Sequence, residues 1–133
     1  MAKEFNYKGK TLGELKEMSN EEFAKIAKSR RRRSLLRGTD SPLMKRVDKA
    51  LKEKLAGKEP KSIRTHKREA IILPKFVGLK FAIYNGHEFI LMEAKDEMIG
   101  HTLGEFSQTR KRLQHGKAGI GATRSSTAVN ARG

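Results

Sequence analysis

Apolar positions recur at three- and four-residue steps in the first half of the chain and closer together in the second. The clearest helical run is Leu43, Met44, Val47, Ala50, Leu51 and Leu55, one face of an α-helix. Ser41 reads as its N-cap and Pro42 as its first helical residue, where a missing N–H costs nothing. Gly57 stops it. Upstream, Thr11 with Glu14 and Ser19 with Glu22 each have the spacing of a capping box, in which side chain and backbone N–H bond reciprocally. They open two short helices, one burying Leu12 and Leu15, the other Phe23, Ile26 and Ala27, expected to form a small helical hairpin. Residues 1–10 read as irregular, with Phe5 and Tyr7 able to pin that end.

Past residue 68 the pattern turns to strands. Residues 70–73 (AIIL) predict a short strand ended by Pro74, which cannot donate in a ladder. Residues 79–84 and 89–93 predict a hairpin around Asn85-Gly86. A two-residue turn would set Ile83 opposite Glu88. A four-residue loop, residues 85–88, sets Ile83 against Ile90, Phe81 against Met92 and Lys80 opposite Glu93. Because the buried face fixes the register, the four-residue loop is preferred, with His87 and Glu88 at an exposed tip.

Residues 96–112 (DEMIGHTLGEFSQTRKR) fit neither period. Gly100 and Gly104 suit sharp turns or close approaches, and Thr102 with Glu105 has capping-box spacing. This reads as a hydrogen-bonded knob anchored by Leu103 and Phe106, with Arg110, Lys111 and Arg112 beyond it. The alternative is an ordinary glycine-containing loop. From Phe106 to the end no acidic residue occurs, and glycines and serines interrupt the basic ones, the composition of a flexible arm.

Charge changes the picture most. There are 30 Lys and Arg against 15 Asp and Glu among 133 residues, a net charge of +15, and 36% of residues are hydrophobic. Such an excess concerns partners rather than fold. Nucleic acid is the favoured polyanion, since no apolar run approaches the ~20 residues of a membrane span. The chain also lacks an apolar segment after Met1, so the expected location is cytoplasmic. With no cysteine, disulfides, thiolate metal sites and cysteine nucleophiles are excluded.

The cations are clustered. Arg30, Arg31, Arg32 and Arg33 are consecutive, with Arg37 close by, and would repel one another on a solvated helix face. Arginine's planar fork matches phosphate bidentately, so phosphate contact is preferred to a merely solvated run. Residues 58–68 form a connection ending in Lys61, Arg64, Lys67 and Arg68. His66 lies among these cations, where a phosphate or base contact suits it better than metal ligation. The polar side of the main helix, with Lys45, Arg46, Lys49, Lys52 and Lys54, faces either RNA or water.

No catalytic constellation, phosphate-cradling loop or RNP-type aromatic signature is visible, and nothing calls for a cofactor or metal. Of His66, His87, His101 and His115, only His101 has carboxylates, Glu105 and Asp96, at a spacing that could orient it as a general base, and Glu105 is better explained by the capping box.

DEMIGHTLGEFSQTR resembles the signature of the universal small-subunit ribosomal protein family number nineteen, in which an N-G loop precedes G-H-x-L-G-E-F-x-x-T-R. LMKRVDKAL, IRTHKR, AIILP and VGLKFAIYNG match in the same order. The longer N-terminal region is similar to archaeal and eukaryotic members, and the chain is read as archaeal-type. The resemblance implies an α+β fold, one main helix packed on a small three-stranded, mainly antiparallel sheet. An Arg-rich helical extension would occupy residues 1–40, the RNA-binding core 41–115 and a flexible basic tail 116–133.

The resemblance also implies a non-catalytic structural protein that binds small-subunit ribosomal RNA in the subunit head. Small-subunit ribosomal protein number thirteen would be its neighbour, and its tail would extend toward the decoding region and transfer RNA. The matching residues are Arg64, His66, Lys67 and Arg68 before the sheet and Asn85, Gly86 and His87 at the hairpin tip. After the sheet come Gly100, His101, Gly104, Thr109 and Arg110, with Lys111, Arg112 and His115 continuing the basic segment. Backbone N–H groups around Gly100 and Gly104 are expected close to phosphates, and His101 near a phosphate or base edge. Leu103 and Phe106 are expected in the core. Two other readings are a DNA-compacting or regulatory protein and an RNA-processing enzyme using His101 and Glu105.

Overall fold

The protein is described from a computed structural model over residues 5–114. The chain begins with a two-stranded ribbon, β1 (Asn6–Tyr7) and β2 (Lys10–Thr11), where irregular chain was expected. Its two-residue turn places Lys8 and Gly9 at φ 50 and 83. Two positive φ values in succession match the right-handed twist of a tight hairpin.

Three short helices follow. In α1 (Leu12–Glu17) the Glu14 carboxylate accepts from the Thr11 N–H at 2.9 Å. In α2 (Asn20–Ile26) Ser19 and Glu22 bond reciprocally, at 2.9 and 3.3 Å. Both capping boxes are therefore as expected. The arginine run, however, is itself a helix, α3 (Ser29–Leu36), and α2 packs against it rather than pairing with α1. Each helix inserts apolar residues into the core: Leu15, then Phe23 and Ala24, then Leu35.

The long helix α4 (Ser41–Leu55) buries Leu43, Val47 and Ala50. Its N-cap is Asp40, one residue before the expected Ser41. Leu55 is 88% exposed, so the apolar stripe ends a turn earlier than its spacing suggested. Gly57 follows the helix with φ 75, the left-handed conformation that suits glycine beyond a helix end.

The second sheet corrects the expected strand set. Its order is β3 (Ile63–Thr65), β4 (Lys80–Tyr84), β5 (Phe89–Glu93), and β3 runs parallel to β4. The sheet is mixed, with an antiparallel β4–β5 pair. That pair has the expected register, with Lys80, Phe81 and Ile83 opposite Glu93, Met92 and Ile90. Ile63, Phe81 and Ile83 point into the core under α4 and the N-terminal helices. Fully burying such a side chain contributes about 1.5–3 kcal/mol.

Residues 70–73, expected as the third strand, belong elsewhere. Ile71 forms a lone antiparallel bridge with Thr102. Around it Ile72 donates to the His101 carbonyl at 2.8 Å, Gly100 to Ile72 at 3.0 Å and Leu103 to Ala70 at 2.9 Å. The segment thus backs onto the glycine-containing knob, and the side chains of Ile72, Leu73 and Leu103 are fully buried beneath it.

Candidate nucleic-acid interface

Helical geometry divides the arginine run by function. Arg30, Arg33 and Arg37 are exposed and line one shallow groove along α3 with Ser29 and Ser34. Arg32 turns back to the end of α2, donating to the carbonyls of Lys25 (3.0 Å), Ala24 (3.2 Å) and Ala27 (3.5 Å). A cation there satisfies carbonyls that have no partner within the helix and lies at the negative end of its dipole. Arg31 pairs with Glu105 of the knob. Repulsion along the run is thus relieved by two internal partners.

The knob is built around the same Glu105. Thr102 and Glu105 form its capping box, with the Thr102 hydroxyl 3.1 Å from Oε1, and His101 Nδ1 lies 2.6 Å from Oε2. Desolvation pushes the Glu105 carboxyl up, but hydrogen bonds from His101 and from the Thr102 backbone and hydroxyl outweigh it and hold the pKa below the usual 4.5. Leu103 is wholly buried and Phe106 partly so, which makes them anchors as expected.

The two knob glycines act differently from expectation. The Gly100 and Gly104 N–H groups donate to the carbonyls of Ile72 (3.0 Å) and Arg68 (2.8 Å), so neither is free for a phosphate. These positions are glycine because neighbours press on them. A Cβ at Gly100, where φ is 81, would meet the Tyr7 hydroxyl at 2.6 Å. One at Gly104 would meet Arg68 Cβ at 2.9 Å.

The basic segment before the sheet divides likewise. The Arg68 guanidinium faces inward, donating to the carbonyls of Tyr84 (2.8 Å), Gly104 (2.9 Å) and Ser107 (2.6 Å). Arg64, His66 and Lys67 are exposed. At the hairpin tip the Asn85 side chain accepts from the N–H groups of His87 and Glu88, both at 2.8 Å. Gly86 has φ 103 and the His87 ring is exposed. Thr109, Arg110, Lys111 and Arg112 are exposed, without side-chain hydrogen bonds among the described residues. His115 and the 116–133 tail lie outside the described residues.

What the structure brings together is a series of adjoining grooves lined by exposed cations, in which Asp40, Glu69 and Glu53 are the interspersed acids and Glu69 lies 3.9 Å from Lys67. The α3 groove meets a second through Ser34 and Arg37, and that groove reaches Lys67. Lys67 lines a third groove with Arg64, His66 and Arg46. Arg46 and Arg64 also line a fourth, with Lys49 and Lys61. Arg46 is a member that sequence reasoning left among the undecided cations of α4. It also donates to the Arg64 carbonyl at 2.8 Å, tying α4 to β3. Tyr84 and Phe89 contact His66 at the same corner. Their position as the last opposed pair before the loop was legible in the register, but their contact with His66 was not.

Among the described residues no group of three or more His, Asp or Glu could hold a metal, and no helix is long and apolar enough to cross a membrane. The family model described as Ribosomal protein S19 matches residues 31–115. The match begins within α3, after α1 and α2, and covers the rest of α3, α4, the three-stranded sheet and the knob. The chain therefore belongs to the ribosomal protein S19 family and is a structural, RNA-binding protein of the cytoplasmic small ribosomal subunit.

Proposed function

We propose that the chain holds ribosomal RNA of the small-subunit head along the tract from Arg30, Arg33 and Arg37 through Lys67 to Arg64 and Arg46. Continuity of exposed cations across four adjoining grooves carries this reading. Folded RNA is recognised mainly through shape and phosphate, and such a tract follows a backbone without needing a base code. His87 at the hairpin tip and Arg110, Lys111 and Arg112 beyond the knob extend it. Gly100, Gly104, Asn85 and Arg68 act indirectly, by fixing the backbone that carries the exposed residues. His101 is held by Glu105, and its exposed ring remains open to a phosphate or base edge.

The role is non-catalytic. Small-subunit ribosomal protein number thirteen is the proposed neighbour. The acid-free segment from Phe106 onward suits an arm extending toward the decoding region and transfer RNA. The helices before residue 31, outside the family match, fit an archaeal-type extension.

The test is chemical footprinting of small-subunit ribosomal RNA with the purified chain at about 150 mM salt. Localised protection in the head, lost on replacing Arg64 and Arg110, is expected. If about six phosphates are neutralised, affinity falls about a thousandfold between 50 and 200 mM salt. Diffuse protection equalled by random duplex DNA would replace this reading with general nucleic-acid compaction.

A further inference from the structure

Strand alternation gives the three-stranded sheet a second face. Ile63, Phe81 and Ile83 point into the core, so Arg64, Ala82, Tyr84, Phe89 and Leu91 point away from it. Register sets Tyr84 opposite Phe89 and Arg64 beside Ala82. His66 follows β3 onto the same corner. Its ring centroid lies 4.5 Å from that of Tyr84 and 5.3 Å from that of Phe89, and Tyr84 and Phe89 are 5.2 Å apart. The Arg64 guanidinium sits over the Phe89 ring at 5.6 Å.

Packing against α4 does not cover this cluster. Phe89 is 37% exposed and Leu91 69%, and no other phenylalanine or tyrosine among the described residues is as exposed as Phe89. Between the Phe89 and His66 rings and the start of α4 lies a groove of about 340 Å³. Pro42, Leu43, Arg46 and Arg64 also line it. Its lining combines apolar and aromatic side chains with the cations Arg46, Arg64 and Lys67 and one acid, Asp40, and the rings are held in place by one another. A phosphate alone would need only the cations.

We infer that this corner is a stacking site for one unpaired nucleobase of the RNA. The base stacks face-on with the Phe89 ring and meets the His66 ring edge-on, since those two rings stand at 82° to each other. Its phosphate is held by Arg64, which lies over Phe89, or by Arg46. Every base has a π-face, so such a platform tolerates any sequence, and single-stranded loops and bulges are what supply splayed bases. The inference rests on the ribosomal-RNA reading and specifies where a base, rather than the backbone alone, is held.

The test irradiates the full chain bound to small-subunit ribosomal RNA with short-wave ultraviolet light and maps the cross-linked peptides by mass spectrometry. Cross-links at Phe89, Tyr84 or His66 are expected. Phe89→Leu keeps the strand apolar but removes the π-face. It is expected to weaken binding about tenfold with the slope of log affinity against log salt unchanged, because no charge is lost. Arg64→Gln should lower that slope by about one. Localised RNA protection by the wild type, with cross-links only elsewhere and Phe89→Leu binding normally, would overturn the stacking site and leave the wider reading intact. Absence of localised protection by the wild type would overturn both.

Discussion

Arg68 and Gly104 are bonded in both directions: Arg68 Nη2 donates to the Gly104 carbonyl at 2.9 Å, and the Gly104 N–H donates to the Arg68 carbonyl at 2.8 Å. The same guanidinium also reaches Tyr84 at the end of β4 and Ser107 beyond the knob. One side chain thus joins the basic segment, the sheet and the knob. Arg68→Ala removes a charged donor from three carbonyls and is expected to lower stability by about 3 kcal/mol, read from the urea midpoint. Arg68→Lys should rescue little, since one ammonium cannot span the three acceptors. An unchanged midpoint in Arg68→Ala would show that the cage is incidental.

Close approach at Gly104 gives a second test. A Cβ there would stand 2.9 Å from Arg68 Cβ and 3.0 Å from the Arg68 carbonyl oxygen. Gly104→Ala is expected to cost about 1–3 kcal/mol through overpacking. Gly13, exposed in α1 with open space around it, is the control. There Gly13→Ala should stabilise by about 0.5 kcal/mol, because helical glycine loses more backbone entropy on folding than alanine. Equal effects at both positions would count against the packing argument.

Neighbouring arginines of α3 should behave oppositely. Replacing Arg30, Arg33 and Arg37 together by Ala is expected to leave the melting temperature nearly unchanged and reduce the salt slope of RNA binding by about three. Arg32→Ala removes the cation at the end of α2 and should cost about 1 kcal/mol. Titrations over a salt series, alongside thermal melts, separate the two. Loss of folding in the triple variant would refute the division.

The depressed Glu105 pKa makes stability pH-dependent. A carboxyl held below its ordinary 4.5 stabilises the fold fully above that value. The contribution disappears as pH falls through the lowered folded-state pKa. Melts from about pH 6 to about pH 3 should show a smaller acid-induced drop in Glu105→Gln than in the wild type. Glu22, held down chiefly by the Ser19 N–H, titrates in the same window in both proteins, so the difference isolates Glu105. Coincident curves would rule Glu105 out.

Determinants lying within a few residues of each other were legible in the chain. Both N-terminal capping boxes and the box of the knob span four positions, and their bonds form whatever the rest does. The β4–β5 register followed from matching Ile83 with Ile90 and Phe81 with Met92 across a short loop, because a one-residue slip would expose that face. Net charge and the ordered motifs of the chain point to a ribosomal RNA partner.

Only the tertiary structure decided which cations face outward. Arg31, Arg32 and Arg68 resemble Arg30, Arg33 and Arg64 in sequence, yet their partners are carbonyls or a carboxylate brought close by folding. The parallel strand β3 carries just three residues, too few for a period, and its partner β4 lies beyond the segment that was expected to pair. The knob glycines reveal their purpose only when Tyr7 and Arg68 are placed against them. The His66, Tyr84 and Phe89 cluster likewise exists only once β3 is laid beside β4. Except for Arg32, whose carbonyl partners lie five to eight residues back at the end of α2, the deciding contact joins residues distant in sequence, whose closeness is set by burial of the common core and not by local preference.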